Sequence, residues 1–195
     1  MDGPVSMPDR PFTGPLQSCI AGPRSPSLGE NDPSVGTKGW TAPGNVGSHD
    51  LRYATVEFSD AGTTNLLKVS RFGFSLPSDA AVRGIVVDWT SQSHWGRNMF
   101  HDGNISDHMV QLVRGGKVAG TNHAVRGKWL ENGTAYTSYG AATDLWGLLW
   151  TPDLINASDF GAALSATYQS FERKDTAEID HVRVTVHYSA AVCAR

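Results

Sequence analysis

Ile179-Asp180-His181-Val182-Arg183-Val184-Thr185-Val186-His187-Tyr188-Ser189 decides the fold. In an extended chain successive side chains point to opposite faces. Val182, Val184, Val186 and Tyr188 therefore share one face, and His181, Arg183, Thr185 and His187 share the other. One apolar face and one polar face is the signature of an antiparallel strand packed on a core on one side and wet on the other. A helix would instead repeat its apolar residues every three to four positions.

Working back from this strand, short segments rich in β-branched and aromatic residues recur from about Asn45 onward, separated by turn residues. Strands are predicted over residues 51–58, 66–75, 82–90, 107–114, 117–122, 134–139, 160–169 and 179–189. Arg114-Gly115-Gly116-Lys117 places two glycines where a tight hairpin turn needs positive φ. Thr151-Pro152-Asp153 offers a capping residue followed by proline at the first helical position, which predicts one short helix between two strands. With no alternation of strands and long helices, the expected class is all-β: an antiparallel two-sheet β-sandwich, jelly-roll-like, with an extended N-terminal arm.

Eight of the 10 prolines lie between Pro4 and Pro43, among Gly, Ser and Asp, with no apolar period. Such a stretch predicts a semi-rigid strap. Two parts follow: residues 1–43 as an assembly arm and residues 44–195 as the sandwich. The arm carries spaced apolar anchors, Val5, Met7, Phe12, Leu16, Ile20, Leu28, Val35 and Trp40, suited to docking in shallow grooves on partner subunits.

The formal net charge of −3 argues against a field that would attract nucleic acid. No apolar run is long enough to span a bilayer, and Asp2, Pro4 and Pro8 stand where a secretory signal would be basic and then apolar. The expectation is a soluble product of the cytoplasm, without membrane or nucleic-acid partners. Cys19 and Cys193 lack the spacing of a zinc site, and a cytoplasmic origin predicts two free thiols.

Several runs taken together carry a likeness: 66–77 (LLKVSRFGFSLP), Gly84-Ile85-Val86-Val87, 110–116 (VQLVRGG), Asp144-Leu145-Trp146-Gly147, 155–161 (INASDFG) and 180–186 (DHVRVTV). Their order over about residues 50–188 resembles the lectin-like β-sandwich domains of tailed-bacteriophage virion proteins and of some bacterial surface proteins. The resemblance does not extend to the arm. It implies a structural accessory role in the virion, as a capsid decoration or cement protein, a head fibre or a tail-attachment protein. Its partners would be capsid or tail subunits and itself as a homo-oligomer.

His94, His101 and His108 recur every seven residues beside Asp88, Asp102 and Asp107, but the stretch reads as an irregular polar loop, so no metal or cofactor is expected. Glu131, Asp144, Asp153, Glu172 and Glu178 could furnish a hydrolase pair, yet they sit mainly in turns, and no nucleophile or nucleotide motif is present. The chain is expected not to be an enzyme. Of the tryptophans, Trp89, Trp146 and Trp150 read as core. Trp95 and Trp129 read as loop-borne and are the candidate contacts for a partner or for a host glycan, the alternative function.

Overall fold

The computed structural model describes residues 14–94, 104–131, 133, 135–170 and 174–194. In chain order the elements are β1 (Gln17–Arg24), β2 (Leu28–Asp32), a 3₁₀ turn (Pro43–Val46), β3 (Ala54–Phe58), β4 (Gly62–Thr63), β5 (Leu66–Ser70), β6 (Ala81–His94), β7 (Ile105–Arg114), β8 (Lys117–Ala119), β9 (Tyr136–Ala141), α1 (Pro152–Asn156), β10 (Gly161–Tyr168) and β11 (Asp175–Ala190). One sheet runs β1-β11-β6-β9, with β3 also on β11; the other runs β2-β5-β10-β7-β8, with β4 also on β10. Every named strand pairing is antiparallel. The chain is a two-sheet β-sandwich, as the alternation predicted.

Its core lies between the sheets. Val182, Val184, Val186 and Tyr188 of β11 meet the buried face of the second sheet, which supplies Val110, Leu112, Leu164 and Tyr168. Gly115 and Gly116 turn the β7–β8 hairpin with φ of 58° and 73°. Thr151 caps α1 by accepting from the Leu154 amide, with Pro152 at the first position. Strand 66–75 is shorter than predicted. Arg71 (φ 60°) and Gly73 (φ 66°) leave extended geometry, and Phe72 and Phe74 then turn in against Phe160 at centroid distances of 6.2 and 5.8 Å.

Three expectations are corrected. Residues 14–43 are not a strap free of the sandwich, since they contribute strands to both of its sheets. β1 pairs along β11 from Gln17↔Ala190 to Arg24↔Val184, and β2 pairs along β5. Trp40 is 5% exposed, and its indole N–H donates to Asn65 O at 2.8 Å. The boundary expected at residue 43 thus falls inside one folded unit. Proline is tolerated at edges and bulges of sheets, where its missing N–H costs no ladder bond. Pro23 lies at the register shift between Ala21 and Arg24, so a proline-rich run still forms strands.

The cysteines are not free thiols either. Cys19 and Cys193 form a disulfide, because β1 lies beside β11 and brings residues 174 positions apart to a Cα–Cα distance of 5.5 Å.

Trp129, finally, lies in a loop as expected but is not an exposed platform. It is 6% exposed, and its indole N–H donates to Asp107 Oδ1 at 2.8 Å. An interior acceptor draws it in.

Candidate functional site

Sequence reasoning offered the arm anchors and two tryptophans as contacts, and the structure disperses them. Val5, Met7, Phe12 and Trp95 lie outside the described residues. Leu28 is half-buried on β2, and Val35 packs over a small cluster of Leu66, Val113 and Ala163 on the outer face of the second sheet. Among the described anchors Leu16 and Ile20 are the ones left exposed, 54% and 60% accessible. They lie at β1, the last strand of its sheet. Val192, 67% accessible, joins Ile20 around an open groove of about 590 Å³ that is also bordered by Arg24, Leu76 and Pro77.

The densest polar chemistry lies on the outer face of the first sheet. Asp180 and His181 together oppose the single residue Thr90, since Ile179 pairs with Ser91 and Val182 with Trp89. This β-bulge turns both polar side chains away from the core. The Thr90 hydroxyl holds it, accepting from His181 N at 2.7 Å. The His181 ring has Ser25 Oγ 2.8 Å from Nε2 and the Tyr136 hydroxyl 2.7 Å from Nδ1. A neutral imidazole carries one N–H, so one hydroxyl donates to the ring and the other accepts from it.

The surrounding charges are paired. His49 stacks on His181 and reaches Asp180 Oδ2 at 3.2 Å. Arg183 Nε donates to Asp88 Oδ2 at 2.8 Å and lies over the Tyr136 ring, 3.8 Å from its centroid. Ser138 donates to the other Asp88 oxygen at 2.5 Å. Burial, then the neighbouring His49, holds the His181 pKa below its ordinary value, and burial pushes the Tyr136 phenol up.

A serine hydroxyl on a histidine nitrogen is the first half of a nucleophile–base pair. Among the described residues two parts of the acyl-transfer constellation are not in place. The imidazolium that forms needs stabilising, normally by a carboxylate on Nδ1; Nδ1 faces a phenol, and Asp180 is turned to His49. An oxyanion hole is commonly built from main-chain N–H groups beside the nucleophile. Pro26 has none, and Ser27 N already donates to Arg71 O at 3.3 Å. The cluster instead clasps the β1–β2 link and the 47–50 segment to the sheet.

No protein-family model matches this chain, and no curated protein sequence matches it.

A second polar centre sits at Asp107, which points inward at one end of the sandwich. Its carboxylate accepts from the Trp129 indole, from the Tyr139 hydroxyl at 2.8 Å and from Val125 N at 2.9 Å. Burial, reinforced by the Asp107 charge, pushes the Tyr139 phenol up. A small cleft of about 150 Å³ opens beside it. On the outer side, a wider polar groove of about 770 Å³ is bordered by Asn104, Ser106, His108, Arg126, Lys128, Thr167 and Gln169, among others.

Among the described residues the histidine series does not converge. His101 and Asp102 lie outside the described residues, His108 faces the wide groove, and Asp88 and Asp107 occupy different centres. Among the described residues no group of three His, Cys, Asp or Glu is placed to hold a metal ion. The described candidate carboxylates are scattered too: Asp144 meets His123 at 3.1 Å, Glu178 accepts from Gln92 at 2.6 Å, Asp153 lies in the first turn of α1, and Glu172 lies outside the described residues. Sequence reasoning missed Ser25, His49 and Tyr136, which reach His181 from distant parts of the chain. Its one usable signal was the outward set of β11, which already contained His181 and Arg183.

Proposed function

We propose that this chain is a non-catalytic structural protein of a tailed-phage virion, held on a capsid or tail lattice in a decoration, head-fibre or tail-attachment role. The reading rests on the resemblance of residues 50–188 and on one observation of geometry: the apolar edge at β1. Leu16, Ile20 and Val192 stand largely in water there. On one side β1 has no strand neighbour among the described residues. An unpaired strand edge is a template for another chain, and each apolar side chain covered contributes about 1–2 kcal/mol. Repetition on a symmetric lattice multiplies weak contacts into firm attachment. In this reading residues 1–16 and the β1 edge make the attachment, while residues 17–43 belong to the body.

The test is a chain lacking residues 2–16 and carrying Ile20→Glu. It is expected to remain a folded β-protein with an unchanged melting temperature, and to be absent from purified particles of the parent phage. Incorporation equal to that of the full chain would remove the basis for the proposal.

A further inference from the structure

The wide polar groove on the second sheet has an ordered floor. Thr63 of β4 pairs with Thr167 of β10, Thr167 with Ser106 of β7, and Ser106 with Lys128 in an isolated bridge. Residues paired across antiparallel strands stand side by side on the same face. A row of three hydroxyls therefore crosses the sheet and ends on an ammonium group. Lys128 is aimed outward because its neighbour Trp129 is drawn inward to Asp107. Arg126, two residues earlier, borders the same groove. Among the described residues neither Arg126 nor Lys128 has a carboxylate partner, and the two border one groove. One acid, Asp107, touches the groove, but its oxygens are held from the interior by Trp129, Tyr139 and Val125.

We infer that this groove binds an acidic oligosaccharide. Carboxylates on successive sugars would pair with Arg126 and Lys128, and ring hydroxyls would exchange hydrogen bonds with Ser106, Thr167 and the amides of Asn104 and Gln169. Charge-assisted pairs of this kind are the stronger class of hydrogen bond, and both exposed cations are open to a carboxylate from outside the chain. Nucleic acid fits less well, because single-strand sites add several aromatic faces for bases, and among the described residues His108 is the one ring bordering this groove. The site is separate from the β1 edge, so it goes beyond the attachment role.

The experiment is calorimetric titration of the full chain with a defined oligogalacturonate, with a neutral maltooligosaccharide of equal length, and with a single-stranded oligonucleotide of equal charge. The expected result is binding of the oligogalacturonate alone, weakened by salt, at least tenfold weaker in Arg126→Ala/Lys128→Ala, and several-fold weaker in Thr167→Ala, with the melting temperatures of both variants unchanged. No binding of the oligogalacturonate, equal binding of the neutral sugar or the oligonucleotide, or full affinity in the double variant would each overturn the inference.

Discussion

Removing the Cys19–Cys193 disulfide is the sharpest test of how this sandwich is held together. The bond joins residues 174 positions apart. In the chain-entropy description, closing a loop of that length removes enough disorder from the unfolded chain to stabilise the fold by about 5 kcal/mol, above the 2–4 kcal/mol that disulfides commonly deliver. Folded domains are stable by only about 5–15 kcal/mol in total, so the bond is a large share. For a chain of this size the loss corresponds to a fall in melting temperature of roughly 10–20 °C. The fold should survive it, since β1 keeps its ladder to β11 from Gln17 to Arg24. The assay is urea unfolding followed by fluorescence of the buried Trp89 and Trp146, on the oxidised chain, on the reduced chain and on Cys19→Ala/Cys193→Ala. Thiol titration fixes the redox state at each step. Both uncrosslinked forms should unfold at lower urea, with a steeper slope, because an unfolded chain without the crosslink exposes more surface. Unfolding free energies within about 0.5 kcal/mol of the oxidised form would refute the reasoning and show that the unfolded ends are already held together by other means.

Three further outcomes follow from the same contacts. Trp40→Ala should cost the isolated chain about 3–5 kcal/mol in chemical unfolding, the usual range for a buried aromatic; an unchanged midpoint would mean that Trp40 anchors to a partner and not to its own core. Asp107→Ala orphans the Trp129, Tyr139 and Val125 donors, and should destabilise by about 3 kcal/mol or more at roughly 1 kcal/mol or above per unmet group, with Asp107→Asn milder by thermal melting. His181 has a folded pKa below its ordinary value. The unfolded chain therefore takes up its proton first: stability holds above about pH 6.5 and falls below it, by at most about 1.4 kcal/mol per pH unit, until the folded ring also titrates. His181→Gln should flatten that part of a stability-against-pH curve, and an unaltered slope would assign the acid sensitivity elsewhere.

The strands that sequence revealed are those whose side chains do the packing. Each of the eight predicted segments contains an observed strand, since β-branched and aromatic residues alternate where a strand buries one face. β1 and β2 left no such trace. β1 buries little beyond Cys19 and has Ile20 in water. β2 holds Gly29, which sits so close to the Pro43 carbonyl that a side chain would collide with it. What holds these two strands is the backbone ladder and the disulfide, and neither is written in apolar period. The same blindness misplaced Trp129: Gly127, Asn132 and Gly133 mark turns around it, but the carboxylate that recruits its indole is 22 residues away.

The His181 cluster shows where such information does lie in a chain. Ala177 and Ile179 are buried on one phase of the alternation, and Val182, Val184 and Val186 on the other. Two consecutive polar residues, Asp180 and His181, stand between them. A strand of strict period two would have to bury one of this pair in the apolar core between the sheets, a costly place for an ionisable group without partners. Inserting an extra residue opposite Thr90 removes the conflict, at the expense of one break in the ladder. The skip in the apolar period is thus the written form of the bulge, and the bulge is what brings a histidine and an aspartate to the same outer face, within reach of Ser25, His49 and Tyr136. The sequence carries the position of the cluster as a phase error in β11; the partners, 45 to 156 residues away from His181 in the cases of Tyr136 and Ser25, are fixed only by the sheet order that sets β1 and β9 on either side of β11 and β6.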